Sequence, residues 1–117
     1  MADDLAAAAE RVCDEAVAVL SDLAAGTSMC AIARSGRSFP AAKYHEGRLA
    51  AGTAVRRALR DHPDADAALA LAREQWTRTS PRLLRSSADG RAYGAGGDDA
   101  LTELAESAGL VGDGSAG

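Results

Sequence analysis

The sequence predicts an all-α protein, a small bundle of four main helices plus one short helix. Apolar residues recur every three or four positions in four separate segments, which is the spacing of one face of an α-helix. Residues that cap helices stand before these segments, and the connections between them are short. The 117 residues leave room for one domain, which we place at residues 1–110, followed by a disordered tail at 111–117.

The first helix is predicted from about residue 4 to residue 25. Asp3 and Asp4 stand at its amino end, where acidic side chains interact favourably with the helix dipole, and Gly26 follows as a carboxyl-terminal cap. Its apolar face has the spacing of a packing seam. The seam consists of Leu5, Val12, Ala16, Val19 and Leu23.

A short apolar segment follows, within residues 27–39. The letters MCAIA, at residues 29–33, are bounded by turn-forming residues and are compatible with an extended segment at residues 28–33 or with a buried loop. A single strand would have no partner within the chain and would need a second copy to pair with.

The second and third helices have recognisable starts. Ser38 can cap the second helix, with Pro40 in its first turn, and the helix should end at Asp61. Asp64 caps the third helix, which carries an apolar stripe that includes Trp76. The pair Ser80-Pro81 then predicts the start of the short helix.

The fourth main helix is predicted to begin late. Residues 86–97, SSADGRAYGAGG, have the composition of a glycine-rich loop, and Asp98 is a suitable cap after it. Gly109 stands where a helix commonly ends in a left-handed residue.

Alanine dominates the predicted core. It supplies 29 of the 55 hydrophobic residues of the sequence, and each alanine buries little surface. Packing must therefore come from close approach of backbones or from a partner chain, so we expect a homodimer. The excess of alanine and arginine is typical of a bacterial protein from a GC-rich genome.

Charge is unevenly distributed along the chain. Residues 1–30 and 92–117 each carry a net charge of −5, whereas residues 31–91 carry +6, which gives the total of −4. The basic middle could face nucleic acid. Neutralisation by the chain's own acidic ends, or by those of a second copy, is favoured because the total is acidic.

The first residues have acids where a signal peptide needs a basic region, and no apolar run is long enough for a membrane span. We therefore expect a cytoplasmic protein without membrane association. Cys13 and Cys30 are far apart in sequence and form no metal-binding motif, so both are predicted to be reduced packing residues.

The stretch KYHEGR, residues 43–48, is the closest resemblance to a catalytic site. His45 and Glu46 are the weak catalytic candidates, yet adjacent helical residues point about 100° apart and do not face each other. A zinc-protease motif would need histidine at Leu49. We predict no metal site and no cofactor.

The same helix carries two sets of candidate binding residues. Tyr44 and Arg48 share a face, and an arginine cluster follows near the end of the helix. The cluster consists of Arg56, Arg57 and Arg60.

A stripe of small residues on the second helix predicts close helix packing, with the alanine-rich first helix as the expected partner. The stripe consists of Gly47, Ala51, Ala54 and Ala58. An alanine-rich chain also produces such stripes by chance.

These observations predict a self-associating protein–protein interaction module as the function. The alternative is a regulator that contacts nucleic acid through arginines of the second and third helices. A small enzyme that uses His45 and Glu46 comes last.

Overall fold

The computed structural model describes residues 2–26, 40–79 and 87–109. These residues form four α-helices and no strand, which confirms the predicted all-α bundle of four main helices. The helices are α1 (Ala2–Gly26), α2 (Pro40–Asp61), α3 (Ala65–Thr79) and α4 (Ala88–Ser107). The predicted segment at 28–33, the short helix after Ser80 and the tail at 111–117 lie outside the described residues.

Helix α2 is the centre of the bundle and packs against the other three helices. Helix α1 runs antiparallel to it, since Cys13 contacts Thr53 while Glu15, further along α1, contacts the earlier Arg48. Helix α3 folds back along α2 after a connection of three residues, as in an αα-hairpin. Helix α4 runs parallel to α2 and therefore antiparallel to α3.

The start of α3 is as predicted. The Asp64 carboxylate accepts a hydrogen bond of 3.0 Å from the backbone N–H of Ala67, which satisfies one of the unpaired donors of the first turn. At the end of α4, Gly109 has a φ of +73°, the left-handed conformation predicted for it.

The core is built largely from alanine, as the composition predicts. Its only fully buried large side chains among the described residues are Leu5, Val12, Val55 and Leu104. The alanines that surround them allow the helix backbones to approach closely, which is how interiors with few large side chains reach normal density.

The predicted glycine-rich loop at 86–97 is wrong, because α4 begins at Ala88 and runs through it. Its cap is Ser87, whose hydroxyl accepts a hydrogen bond of 2.9 Å from Gly90 N–H. Glycine in a helix costs about 1 kcal/mol relative to alanine. Here Gly96 and Gly97 permit close packing that no larger residue could make: a Cβ at Gly96 would collide with the Tyr44 carbonyl group.

At the amino end of the stripe of small residues on α2, Gly47 faces α4, whereas α1 was the predicted partner. A Cβ on Gly47 would meet the backbone of Tyr93 in α4, whereas α1 packs instead against Gly52, next to Val12 and Cys13. The expectation that α1 covers Gly47 is therefore wrong. Further along the stripe, Ala51 and Ala58 are buried and Ala54 is half-buried.

Candidate functional site

A polar cluster lies where the amino-terminal half of α2 meets α4. The Tyr44 hydroxyl donates a hydrogen bond of 2.6 Å to Asp99 Oδ2, and Arg48 Nη2 donates one of 3.0 Å to Glu103 Oε1. Tyr44 and Arg48 are four residues apart on α2, and Asp99 and Glu103 are four residues apart on α4. Parallel helices keep such spacings in register, so the two contacts form as one matched set.

Arg48 links three helices through its charge. Its side chain is only 11% exposed and lies between Glu103 and Glu15 of α1, whose Oε1 is 3.7 Å away. A guanidinium with so little access to water requires such partners, because removing a charge from water is costly. The two carboxylates neutralise Arg48, so its best-supported role is to join α1, α2 and α4 rather than to bind an external anion.

The neighbours of Tyr44 change its acidity. The hydrogen bond to Asp99 raises the pKa of the Tyr44 hydroxyl, and burial adds to the effect, whereas Arg48 opposes it. Asp99 accepts a hydrogen bond from the neutral phenol, and its negative charge repels the phenolate. Tyr44 therefore stays protonated and acts as a hydrogen-bond donor.

His45 lies beside this cluster with one ring nitrogen buried. Its Nδ1 has no hydrogen-bond partner, and its ring meets the Tyr44 ring edge to face at a centroid distance of 5.2 Å. Burial lowers the pKa of His45, and the positive charge of Arg48 lowers it further. The imidazole is therefore neutral near pH 7.

Glu46 takes part in a different interaction. Its Oε1 accepts a hydrogen bond of 3.1 Å from Lys43 Nζ, an ion pair on the partly exposed side of α2. The two weak catalytic candidates, His45 and Glu46, share no hydrogen bond in the part of the chain that the structure describes. No general-base pair is formed by them there.

The predicted binding residues separate into two places. Tyr44 and Arg48 contact α4 within the bundle, whereas Arg56, Arg57 and Arg60 are exposed on the last turns of α2. Across residues 2–26, 40–79 and 87–109, no group of three or more histidine, cysteine or acidic side chains could hold a metal ion. In the same ranges, no helix has the length and hydrophobicity to span a membrane.

Sequence reasoning missed the acidic partners on α4. Asp98, predicted as a helix cap, instead accepts a hydrogen bond of 3.0 Å from Trp76 Nε1, and Asp99 accepts one from Tyr44. The sequence does contain a signal for the contact between α2 and α4, because Tyr-x-x-Gly occurs at residues 44–47 and again at 93–96. Each of these motifs places its glycine against the backbone of the other motif's tyrosine.

Trp76 joins α3 to the same part of α4. Its indole stacks on the ring of Tyr93, with centroids 5.4 Å apart and planes inclined by 28°, and it lies against Gly97. The indole is 7% exposed, so its position is set by packing as well as by the bond to Asp98.

Comparison of the chain with protein-family models, with curated protein sequences and with solved structures found no match to any of them.

Proposed function

We propose that this protein is a self-associating interaction module, a homodimer in which one face of α1 and α2 packs against the same face of a second copy. We call it the α1–α2 face and define it by Glu10 and Val17 of α1 with Leu49, Thr53 and Arg56 of α2. Helical spacing places each set on one side of its helix. Buried Cys13, which lies between Glu10 and Val17 along α1, contacts Thr53 at 3.9 Å between Sγ and Oγ1, so the two helices meet beside this face.

The observation that carries the proposal is the exposure of Val17. Its side chain is 48% exposed, and it is the only large hydrophobic residue in the exposed class among residues 2–26, 40–79 and 87–109. Because α1 and α2 are antiparallel, Val17 lies towards Leu49, which is half-buried. An apolar centre with a polar rim is typical of a protein interface.

Charge complementarity favours a second copy as the partner. The exposed charges of α1 are mostly acidic, whereas Arg56, Arg57 and Arg60 are exposed on α2. A twofold axis repeats every contact, so each ion pair between an acidic group of one copy and a basic group of the other forms twice. The acidic and basic segments of the chain would thereby neutralise each other between copies.

Sedimentation velocity over a range of concentrations tests this proposal. We expect the wild-type protein to sediment with a mass near twice the 11.9 kDa of the chain. Val17→Glu places a charge at the centre of the face and should yield monomer. Ala70→Glu, at an exposed position of α3, is the matched control and should stay dimeric. A wild-type monomer at every concentration, or dimers of both variants, would contradict the α1–α2 interface.

Nucleic-acid binding is the second candidate function. Arg56, Arg57 and Arg60 are exposed, and none of them makes an ion pair with another described residue. They could contact phosphates without sequence preference. Exposed Asp61 and Asp64 follow directly and weaken the positive potential there.

The double variant Arg56→Ala, Arg60→Ala distinguishes this function. It should abolish a salt-dependent mobility shift of bulk DNA if the arginines bind phosphate, and the absence of any wild-type shift at low salt would remove the alternative.

A cytoplasmic location remains part of the main proposal, and the free thiol of buried Cys13 is compatible with a reducing compartment.

A further inference from the structure

An open groove with a volume of about 450 Å³ lies between α3 and α4. This volume is within the range of small-molecule sites, roughly 300–1,000 Å³. The described residues that line it form two sets with helical spacing, one from each helix. They are Arg73, Trp76 and Thr77 from α3 and Asp98, Leu101 and Thr102 from α4.

The two sets have matching chemistry. Each contributes one charged, one apolar and one hydroxyl side chain, and the charges have opposite sign. Trp76 and Leu101 are buried and form the floor, whereas the charged and hydroxyl residues are exposed along the sides. The result is a mostly polar groove with a small apolar floor, formed by the exposed edges of Trp76 and Leu101.

The charges lie towards opposite ends of the groove. The Trp76 indole N–H donates a hydrogen bond to Asp98 at one end of the groove. Arg73 precedes Trp76 by three residues, almost one helical turn. Because α3 and α4 are antiparallel, that turn carries Arg73 away from Asp98, towards Thr102. Neither Arg73 nor Asp98 makes an ion pair with any described residue, so both charges are available to a ligand.

We propose that this groove binds a small zwitterion, a dipeptide, with its carboxylate at Arg73 and its ammonium group at Asp98. A guanidinium fork matches a carboxylate, and a carboxylate accepts hydrogen bonds from an ammonium group. Asp98 uses Oδ1 for Trp76, which leaves its other oxygen for the ligand. The apolar side chains of the dipeptide lie on Trp76 and Leu101.

The dimensions are compatible with this ligand. Arg73 and Trp76, the residue bonded to Asp98, are three residues apart, which corresponds to about 4.5 Å along the helix axis. An extended dipeptide spans about 7 Å, and the flexible arginine side chain covers the difference. Thr77 Oγ1 donates a hydrogen bond of 2.9 Å to the Arg73 carbonyl oxygen, so it offers the ligand an acceptor, and Thr102 borders the groove on α4.

Trp76 is the only tryptophan of the chain, so its fluorescence reports directly on the groove. Titration with the dipeptide Ala-Leu should produce a saturable change in emission. N-acetyl-Ala-Leu lacks the ammonium group and Ala-Leu-amide lacks the carboxylate, and each should bind about ten-fold more weakly or worse, as expected for loss of a charged hydrogen bond.

Two variants test the assigned residues. Arg73→Gln and Asp98→Asn should each weaken Ala-Leu binding by about ten-fold or more, and Asp98→Asn keeps an acceptor for Trp76. Arg78→Gln is the matched control, an exposed arginine of α3 outside the groove, and should bind like wild type. Circular dichroism checks that each variant is folded. No saturable change up to about 10 mM Ala-Leu, or equal binding by the charge-neutral variants or the capped peptides, would overturn the proposal.

Discussion

Gly47 of α2 and Tyr93 of α4 touch through the backbone: a Cβ on Gly47 would collide with the Tyr93 carbonyl oxygen. The reciprocal contact places Gly96 against the carbonyl group of Tyr44. These two contacts bring the helices close enough for Tyr44 to reach Asp99 and for Arg48 to reach Glu103. The polar cluster therefore depends on glycine at positions that show no polar chemistry of their own.

Gly47→Ala should destabilise the protein despite the higher helix propensity of alanine. The methyl group would meet backbone atoms, which cannot rotate away, so α2 and α4 would have to separate at a cost of about 1–3 kcal/mol. Urea unfolding at one fixed protein concentration measures this. Gly94→Ala is the control: no atom lies within 4 Å of its added Cβ, and it should stabilise α4 by about 0.5–1 kcal/mol. Equal effects of the two changes would refute the close contact.

Ser87→Ala tests where α4 begins. The Ser87 hydroxyl accepts the hydrogen bond from Gly90 N–H, and losing such a cap costs about 1 kcal/mol. Ser107→Ala, at the exposed last residue of α4, removes no amino-terminal cap and should change stability by less than about 0.5 kcal/mol. If Ser87→Ala were neutral in chemical unfolding, the helix would not start there.

The Tyr44–Asp99 contact should appear as coupling in a double-mutant cycle. Tyr44→Phe and Asp99→Ala each remove one partner of the hydrogen bond of 2.6 Å, so their combined effect should be smaller than the sum. We expect a coupling of about 0.5–1.5 kcal/mol, the usual range for one intramolecular hydrogen bond. Strict additivity in the unfolding free energies would show that the bond contributes nothing.

Acid should destabilise the fold through His45. Its pKa is lowered in the folded state, so the unfolded chain takes up this proton first as the pH falls. The contribution of neutral His45 is fully present above the ordinary value of 6.5 and decreases as the pH falls below it. Urea unfolding from pH 7.5 to pH 5 should therefore show a loss of stability that His45→Gln reduces.

His62→Gln is the control for this pH experiment. His62 is exposed in the connection between α2 and α3 and contacts the bundle through its backbone N–H, which donates to Ala58 O. This variant should keep the wild-type difference between pH 7.5 and pH 5. An identical pH dependence in wild type and His45→Gln would show that His45 does not contribute.

Local signals in the sequence predicted three helices well. Periodic apolar residues, Pro40 in a first turn and the Asp64 cap each depend on a few neighbouring residues. Helices α1 and α2 begin and end close to the predicted positions, and α3 begins where predicted. The shared face of Tyr44 and Arg48 was predictable for the same reason, since residues four apart on a helix are neighbours. The alanine content likewise predicted a core that depends on close backbone approach.

The start of α4 and the partners in the polar cluster were decided only by the tertiary structure. Glycine lowers local helix propensity, so YGAGG resembles a loop until Gly96 and Gly97 pack against Tyr44 and Trp76. Asp99 and Glu103 are each 55 residues from the side chains they bond, and no local pattern records such a pairing. The sequence by itself determined the helices and their apolar faces, because those depend on near neighbours. Which glycine faces which backbone, and which carboxylate meets Arg48, depend on contacts that exist only after the helices pack.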